Sequence, residues 1–233
     1  MCYTMNGGLL TMNLLDFIFP KRCVNCAAFG AYFCAKCTKE AKCITNPICP
    51  LCQRQAIGGK THPGCVTKYT LDGLIIGFYY KGSVKRAIGK IKYRWQYDIA
   101  NTLASLFSGE IWKFDFPADA LLVPIPLHVR RKKWRGFNQA ELICSILAAK
   151  FGIRYGNLLR RTIETKTQVG LSRLERKKNI NGAFEVVKNS NLKDKSYILV
   201  DDVYTTGATM NEACKTLKRA GASEVWGLAI ALG

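Results

Sequence analysis

Three pairs of cysteines, Cys23/Cys26, Cys34/Cys37 and Cys49/Cys52, are followed by His62-Pro-Gly-Cys65, and no other feature limits the possible folds as tightly. Two residues between thiolates make a tight turn that aims both sulfurs at one ion about 2.3 Å away. Segments this short bury too little apolar surface to fold alone, so a bound metal would supply the folding free energy. Eight such ligands serve two tetrahedral zinc ions. Four protein ligands per ion leave no open position, which makes the zinc structural and not catalytic. Sequential sharing puts Cys23, Cys26, Cys34 and Cys37 on one ion and Cys49, Cys52, His62 and Cys65 on the other. An interleaved sharing of 23/26 with 49/52 stays open, as does Cys43 in place of His62. The competing reading is a disulfide scaffold, which needs an oxidising compartment. Nothing in the sequence points to one, and the expected location is the cytoplasm.

The cysteines also divide the chain. Nine of the eleven lie in the first 65 residues, and only Cys144 and Cys214 fall later, inside apolar helical patterns where cysteine is usually a small core residue. Residues 12–68 therefore read as a zinc module and residues 70–233 as a second domain. Residues 1–11 precede Met12-Asn-Leu-Leu-Asp-Phe-Ile-Phe-Pro, which reads like a natural start, so they are expected to be a disordered extension. Asp16 interrupts the apolar stretch Leu9–Phe19 and no basic residue precedes it, which argues against a secretory signal. No apolar run reaches the roughly 18–20 residues of a membrane helix, and no membrane insertion is expected. Net charge is +19, which favours anionic partners: a phosphorylated small molecule, nucleic acid, or both.

In residues 70–233, four apolar runs read as buried parallel strands: Gly73–Tyr79, Ala120–Val123, Tyr197–Val200 and Val225–Leu232. Helical patterns alternate with them at Asn138–Phe151 and Ala208–Ala220, with Asn138 as a helix start and Gly221 as a left-handed stop. The fold class is α/β, an open, mainly parallel sheet with helices on both faces. In such folds ligands sit beyond the carboxyl ends of the strands. The segment Tyr197-Ile-Leu-Val-Asp-Asp-Val-Tyr-Thr-Thr-Gly-Ala-Thr209 has the chemistry for that position. Asp201 and Asp202 can accept hydrogen bonds from two neighbouring ribose hydroxyls. The backbone N–H groups of Thr205, Thr206, Gly207 and Ala208, with the hydroxyls of Thr205, Thr206 and Thr209, can hold a 5′-phosphate, helped by the positive end of the next helix. Neither a P-loop nor a dinucleotide glycine motif is present. No Ser/His/Asp or Cys/His set stands out, and His128 reads as an exposed turn residue.

This segment resembles the ribose-phosphate signature of type I phosphoribosyltransferases. Together with the zinc knuckles, the chain from Met12 onward is similar to the ComF family, whose members are associated with DNA uptake in natural competence. Three further stretches carry the resemblance. Val123-Pro-Ile-Pro126 with Arg135-Gly-Phe-Asn-Gln139 resembles the first strand, pyrophosphate loop and next helix. Lys166-Thr-Gln168, Leu171-Ser-Arg173, Arg176, Asn179 and Gly182-Ala-Phe184 resemble the mobile-loop segment. Lys85 and Lys92-Tyr93 resemble the basic entry segment. His62 departs from the family pattern, where cysteine is expected.

The resemblance implies a ligand, phosphoribosyl pyrophosphate with Mg²⁺, and a small double zinc ribbon at the N-terminus. If transfer occurs, charges placed around the departing pyrophosphate stabilise the transition state and no nucleophile is needed. Lys166 and Arg173 would close over the pyrophosphate, with Arg135 and Asn138 as further ligand contacts. The basic run Arg130–Arg135 holds Trp134 among its cations, and Lys81–Arg94 lies among Tyr79, Tyr80, Tyr93 and Trp95. Phosphates on Lys/Arg and bases on rings is how single-stranded DNA is tracked. Expected partners are therefore phosphoribosyl pyrophosphate, single-stranded DNA and a DNA-uptake helicase. Two other readings stay open: a phosphoribosyltransferase making nucleotides from a free base, and a zinc-dependent interaction module whose α/β domain is a ligand-operated switch.

Overall fold

The structure, a computed structural model, describes residues 20–91, 97–163 and 173–233, without the side chains of residues 173, 174, 176 and 177. The expected extension at 1–11, Lys92-Tyr93, Lys166 and Ser172 lie outside the described residues. In chain order the elements are α1 (Ala35–Glu40), β1 (Gly73–Tyr79), α2 (Gly82–Ile91), α3 (Tyr97–Ser108), β2 (Leu121–Pro124) and α4 (Val129–Arg135). They continue with α5 (Gln139–Phe151), β3 (Leu159–Arg161), α6 (Arg173–Ile180), β4 (Phe184–Val186), β5 (Ser196–Tyr204), α7 (Ala208–Arg219) and β6 (Glu224–Leu232).

Four strands form one parallel sheet in the order β1-β6-β5-β2. The run Val225–Ala231 at its centre is wholly buried. A strand covered by helices on both faces has no solvent side, so an unbroken apolar run replaces alternation. One face packs against α2, α3 and α5, through Ile88, Leu103, Phe107, Ile143 and Leu147. The other packs against α7, where Met210, Ala213, Cys214 and Leu217 recur at helical spacing and fill one buried stripe. Cys144 and Cys214 are both fully buried in these layers, as their sequence patterns imply.

The small antiparallel pair β3–β4 has no counterpart among the expected strands. Each has three residues, too few for periodicity to register. A second difference concerns β5. The expected strand stops at Val200, but pairing with β6 continues through Asp201↔Ala229, Val203↔Ala231 and Tyr204↔Leu232. Both carboxylates therefore lie inside the strand's final residues, fixed by the sheet ladder.

The zinc module is docked on the edge of this sheet. Ile44 N–H donates to the Gly77 carbonyl at 2.7 Å and Tyr79 N–H to the Lys42 carbonyl at 2.9 Å. Isolated antiparallel bridges join Cys43 to Phe78 and Lys60 to Gly73. Segments of the module thus cover β1, which otherwise presents a row of unpaired backbone groups. Val24, Phe33, Cys37 and Ala41 join the same apolar cluster as Ile75 and Phe78.

Candidate functional site

Two clusters of candidate metal ligands and one hydroxyl-rich loop before a helix make up the candidate site, and each is local in origin. Cys23 and Cys49 begin knuckles of matching geometry. Ala27 N–H donates to the Cys23 carbonyl and Gln53 N–H to the Cys49 carbonyl, at 2.9 and 3.0 Å. Ala27 and Gln53 both take a left-handed conformation, φ 60° and 58°, which turns each chain back after its second cysteine. The other ligands come from α1, preceded by Cys34, and from the short turn Pro63–Cys65, preceded by His62.

The ligand atoms of Cys23, Cys26, Cys34 and Cys37 all lie within 4.8 Å of one another, and so do those of Cys49, Cys52, His62 and Cys65. Tetrahedral zinc with bonds of about 2.3 Å sets sulfur atoms roughly 3.8 Å apart, so both clusters have the compactness a structural ion needs. The grouping is sequential, and Cys43 belongs to neither cluster. His62 Nδ1 lies 3.2 Å from Cys52 Sγ, while its Nε2 is 2.9 Å from the Gln55 carbonyl. A proton on Nε2 directed at that carbonyl leaves Nδ1 as a lone-pair donor, the usual outer-sphere support for a metal-binding histidine. The Arg54 guanidinium beside Cys52 pulls its thiol down to about 6. At Cys23, burial works against ionisation, but the backbone N–H groups of Cys34, Cys26 and Asn25 bring the thiol to about 6.

At the carboxyl edge of the sheet, Asp202 N–H donates to Asp201 Oδ1 at 2.8 Å. Burial first, and then the Asp202 charge, push the Asp201 carboxyl well above the usual carboxylate range. The chain then turns through Thr205-Thr206-Gly207 into α7. Gly207 is the residue before the helix, at φ 71°, and a side chain there would meet the Tyr204 ring and hydroxyl. Glycine is thus required twice, by conformation and by space. Ala208 N–H faces Thr206 Oγ1 at 3.4 Å. Backbone donors converging at a helix start are suited to an anion.

Sequence comparison agrees with this geometry. Residues 14–66 match the model of the double zinc ribbon domain, and residues 138–231 that of the phosphoribosyl transferase domain. Competence protein F of Haemophilus influenzae is 32% identical over 94% of this chain and 99% of its own. The chain belongs to the ComF family. Competence protein ComFC of Bacillus subtilis is 30% identical over 81% of this chain and 78% of its own. DNA utilization protein YhgH of Escherichia coli O6:H1 is 30% identical over 83% of this chain and 88% of its own.

Other residues expected at the ComF site are distributed unevenly. Arg173 is the first residue of α6, which follows the segment containing Lys166. Asn138 accepts from Ala140 N–H at 3.1 Å, and its amide donates to the Ile125 carbonyl at 3.0 Å. It is buried, and both polar ends bond to protein, so it sets a helix start and clamps the loop after β2. The stretch expected as a pyrophosphate loop contains helix α4, and Arg135 at its end donates to Gln139 Oε1 at 3.0 Å. His128 is not an exposed turn residue: it is half-buried before α4, and its Nδ1 is buried with no hydrogen-bond partner among the described residues.

Two side chains escape sequence reasoning. Arg161, on β3, is 8% exposed and lies over the Phe184 ring, 5.7 Å from its centroid. Burial, followed by the Arg131 charge, pulls its guanidinium down to about 10, while the Asp201 charge acts in the opposite sense. It thus brings a positive charge toward the acid pair. Tyr204 is the second: its hydroxyl donates to the Pro50 carbonyl of the second zinc knuckle at 2.7 Å. Beside this contact, Pro50, Leu51, Ile180, Thr206, Ala208 and Asn211 line a cavity of about 870 Å³ between the zinc module and α7. Among the described residues no helix is long and apolar enough to cross a membrane.

Proposed function

We propose that this ComF-family chain binds phosphoribosyl pyrophosphate with Mg²⁺ at the carboxyl edge of the sheet, and single-stranded DNA on its basic face, and that it acts in DNA uptake in the cytoplasm. The observation that carries the reading is the continuous element Asp201–Thr209. Adjacent carboxylates at a strand end lead within a few residues to a hydroxyl-rich, glycine-pivoted helix start. Ribose hydroxyls would donate to Asp201 and Asp202. The 5′-phosphate would take the backbone N–H groups of Thr205 to Ala208 and the hydroxyls of Thr205, Thr206 and Thr209. Mg²⁺ would supply charge neutralisation on the pyrophosphate; it keeps several of its waters, which suits a site with few protein ligands.

Lys166 and Arg173 would close over the pyrophosphate and exclude water. Arg161 would add positive charge from the floor of the site. Structural zinc in each cysteine cluster would hold the N-terminal module in register with the sheet edge. The DNA reading draws on α4, where Trp134 is 81% exposed among Arg130, Arg131, Lys132, Lys133 and Arg135. A bare ring amid cations offers bases a stacking surface and phosphates a charge. The names carried by the relatives point the same way, and a DNA-uptake helicase is the expected protein partner.

Calorimetric titration of phosphoribosyl pyrophosphate with Mg²⁺ into the zinc-loaded chain tests the central claim. Saturable binding that Asp201→Asn/Asp202→Asn abolishes would support it. Folded, zinc-loaded wild type that binds nothing would refute it.

A further inference from the structure

We infer that Tyr204 is a positioning residue that couples the second zinc site to the phosphate-binding loop, so that zinc at Cys49/Cys52/His62/Cys65 sets the loop's readiness for a phosphorylated ligand. This rests on the reading of Thr205–Thr209 as the phosphate site. Two contacts across about 150 residues of sequence and one local contact support it. The Tyr204 hydroxyl donates to the Pro50 carbonyl, and that carbonyl lies between two ligands of the same ion, Cys49 and Cys52. Gln53, in the left-handed position that closes the knuckle, donates from Nε2 to the Thr205 carbonyl at 3.5 Å. The Tyr204 ring also occupies the space beside Gly207 that any side chain there would fill.

The knuckle's backbone direction depends on its ligands being drawn to a common point. With the metal in place, the Pro50 carbonyl is held toward Tyr204, and the buried phenol is satisfied. With the metal gone, a knuckle too short to hold itself loosens. The Tyr204–Pro50 bond is then lost from a site where only 2% of the residue is exposed, and loss of a buried hydrogen bond favours rearrangement. Since Tyr204 leads directly into Thr205, the first atoms displaced are those of the loop. Among the described residues the first cluster shows no such path: Cys37 touches α2, through the Ser83 hydroxyl donating to its carbonyl, on the opposite layer.

Hydrogen exchange on the full chain tests this without any ligand. Stripping zinc from wild type is expected to accelerate exchange in 203–209 while 225–231 in β6 keep their protection. Tyr204→Phe, still zinc-loaded, should show the same local acceleration, and stripping should then add little. Unchanged exchange in 203–209 on stripping would overturn the coupling, as would loss of protection in β6 to the same degree, which would mark global unfolding. In calorimetry, zinc-loaded Tyr204→Phe should bind phosphoribosyl pyrophosphate with Mg²⁺ roughly fivefold more weakly, the scale of one net hydrogen bond. Wild-type affinity in that variant would also overturn the coupling. Failure of wild type to bind at all would instead remove the ligand reading, and the exchange arm would still decide the coupling.

Discussion

Asp202 donates its backbone N–H to the carboxylate of Asp201, so the second acid of the pair helps to hold the first in place while its own charge opposes ionisation there. By itself this arrangement is unfavourable: two acids share one strand end, and one of them is poorly solvated.

Asp201→Asn should therefore stabilise the ligand-free protein at neutral pH while abolishing ligand binding. The sign follows from the raised carboxyl. A carboxyl whose folded pKa exceeds its unfolded one contributes stability below about 3.9, and that stability is lost as pH rises through the folded pKa. As pH rises the wild type loses it, whereas the amide has nothing to lose. A gain of about 2–4 °C, roughly 1 kcal/mol in a chain of this size, is expected at pH 7.5. It should vanish near pH 3.5. A variant that melts lower than wild type at neutral pH would contradict this.

The same raised carboxyl gives ligand binding a pH dependence. The charged form accepts a ribose hydroxyl more strongly than the neutral one, so binding to Asp201 favours release of its proton. Affinity for phosphoribosyl pyrophosphate with Mg²⁺ should fall as pH drops, beginning well above the usual carboxylate range. Calorimetry in two buffers of different ionisation enthalpy would reveal the released proton; an affinity flat between pH 8 and 5 would count against it.

His62 can be separated from its cysteine partners. His62→Ala should cost the chain one zinc, whereas His62→Cys should keep both, because a thiolate can replace Nδ1 at the same corner of the cluster. Metal analysis of the purified variants decides this, and two tightly held ions in His62→Ala would remove the histidine from the site.

Asn138→Ala should act on stability more than on ligand contact. It deletes a helix cap and the clamp on the Ile125 carbonyl, a loss of about 1–2 kcal/mol. Asn138→Asp keeps the cap acceptor but cannot donate, and should fall between. Thermal melts with and without ligand would show equal shifts if the role is structural.

Single-stranded DNA binding should weaken by about 1–3 kcal/mol in Trp134→Ala, through lost stacking. Arg130→Ala should instead lower the slope of log affinity against log salt by about 0.7 if it meets one phosphate. Equal loss of affinity with no change of slope in both variants would argue against the α4 surface.

Much of this was legible along the chain, because it is encoded over short range. The four sheet strands stand out as unbroken apolar runs, since each is covered on both faces. The helix at 208–219 shows its buried stripe at Met210, Ala213 and Leu217. The candidate metal ligands and the Thr205–Thr209 loop are spacings of a few residues, set by local turns. What escaped was long-range or too short to have a period. The three-residue strands of β3 and β4 become a pair only when residues 159–161 meet 184–186. Arg161 reads as one more cation in a basic chain until burial and Asp201 give it a role. The Asp201 shift is similar: the sequence shows two acids, but only packing removes water from one of them.

By itself, then, the sequence determined the zinc-ligand spacing and the parallel α/β class, and it offered two modules and the chemistry at Asp201–Thr209 as expectations. Tertiary structure alone decided where the zinc module sits, over the edge of β1 with its second knuckle against Tyr204. The reason is physical: a turn or a buried strand is specified by neighbours a few residues away, whereas the Tyr204–Pro50 bond joins atoms whose meeting depends on every layer folded between them.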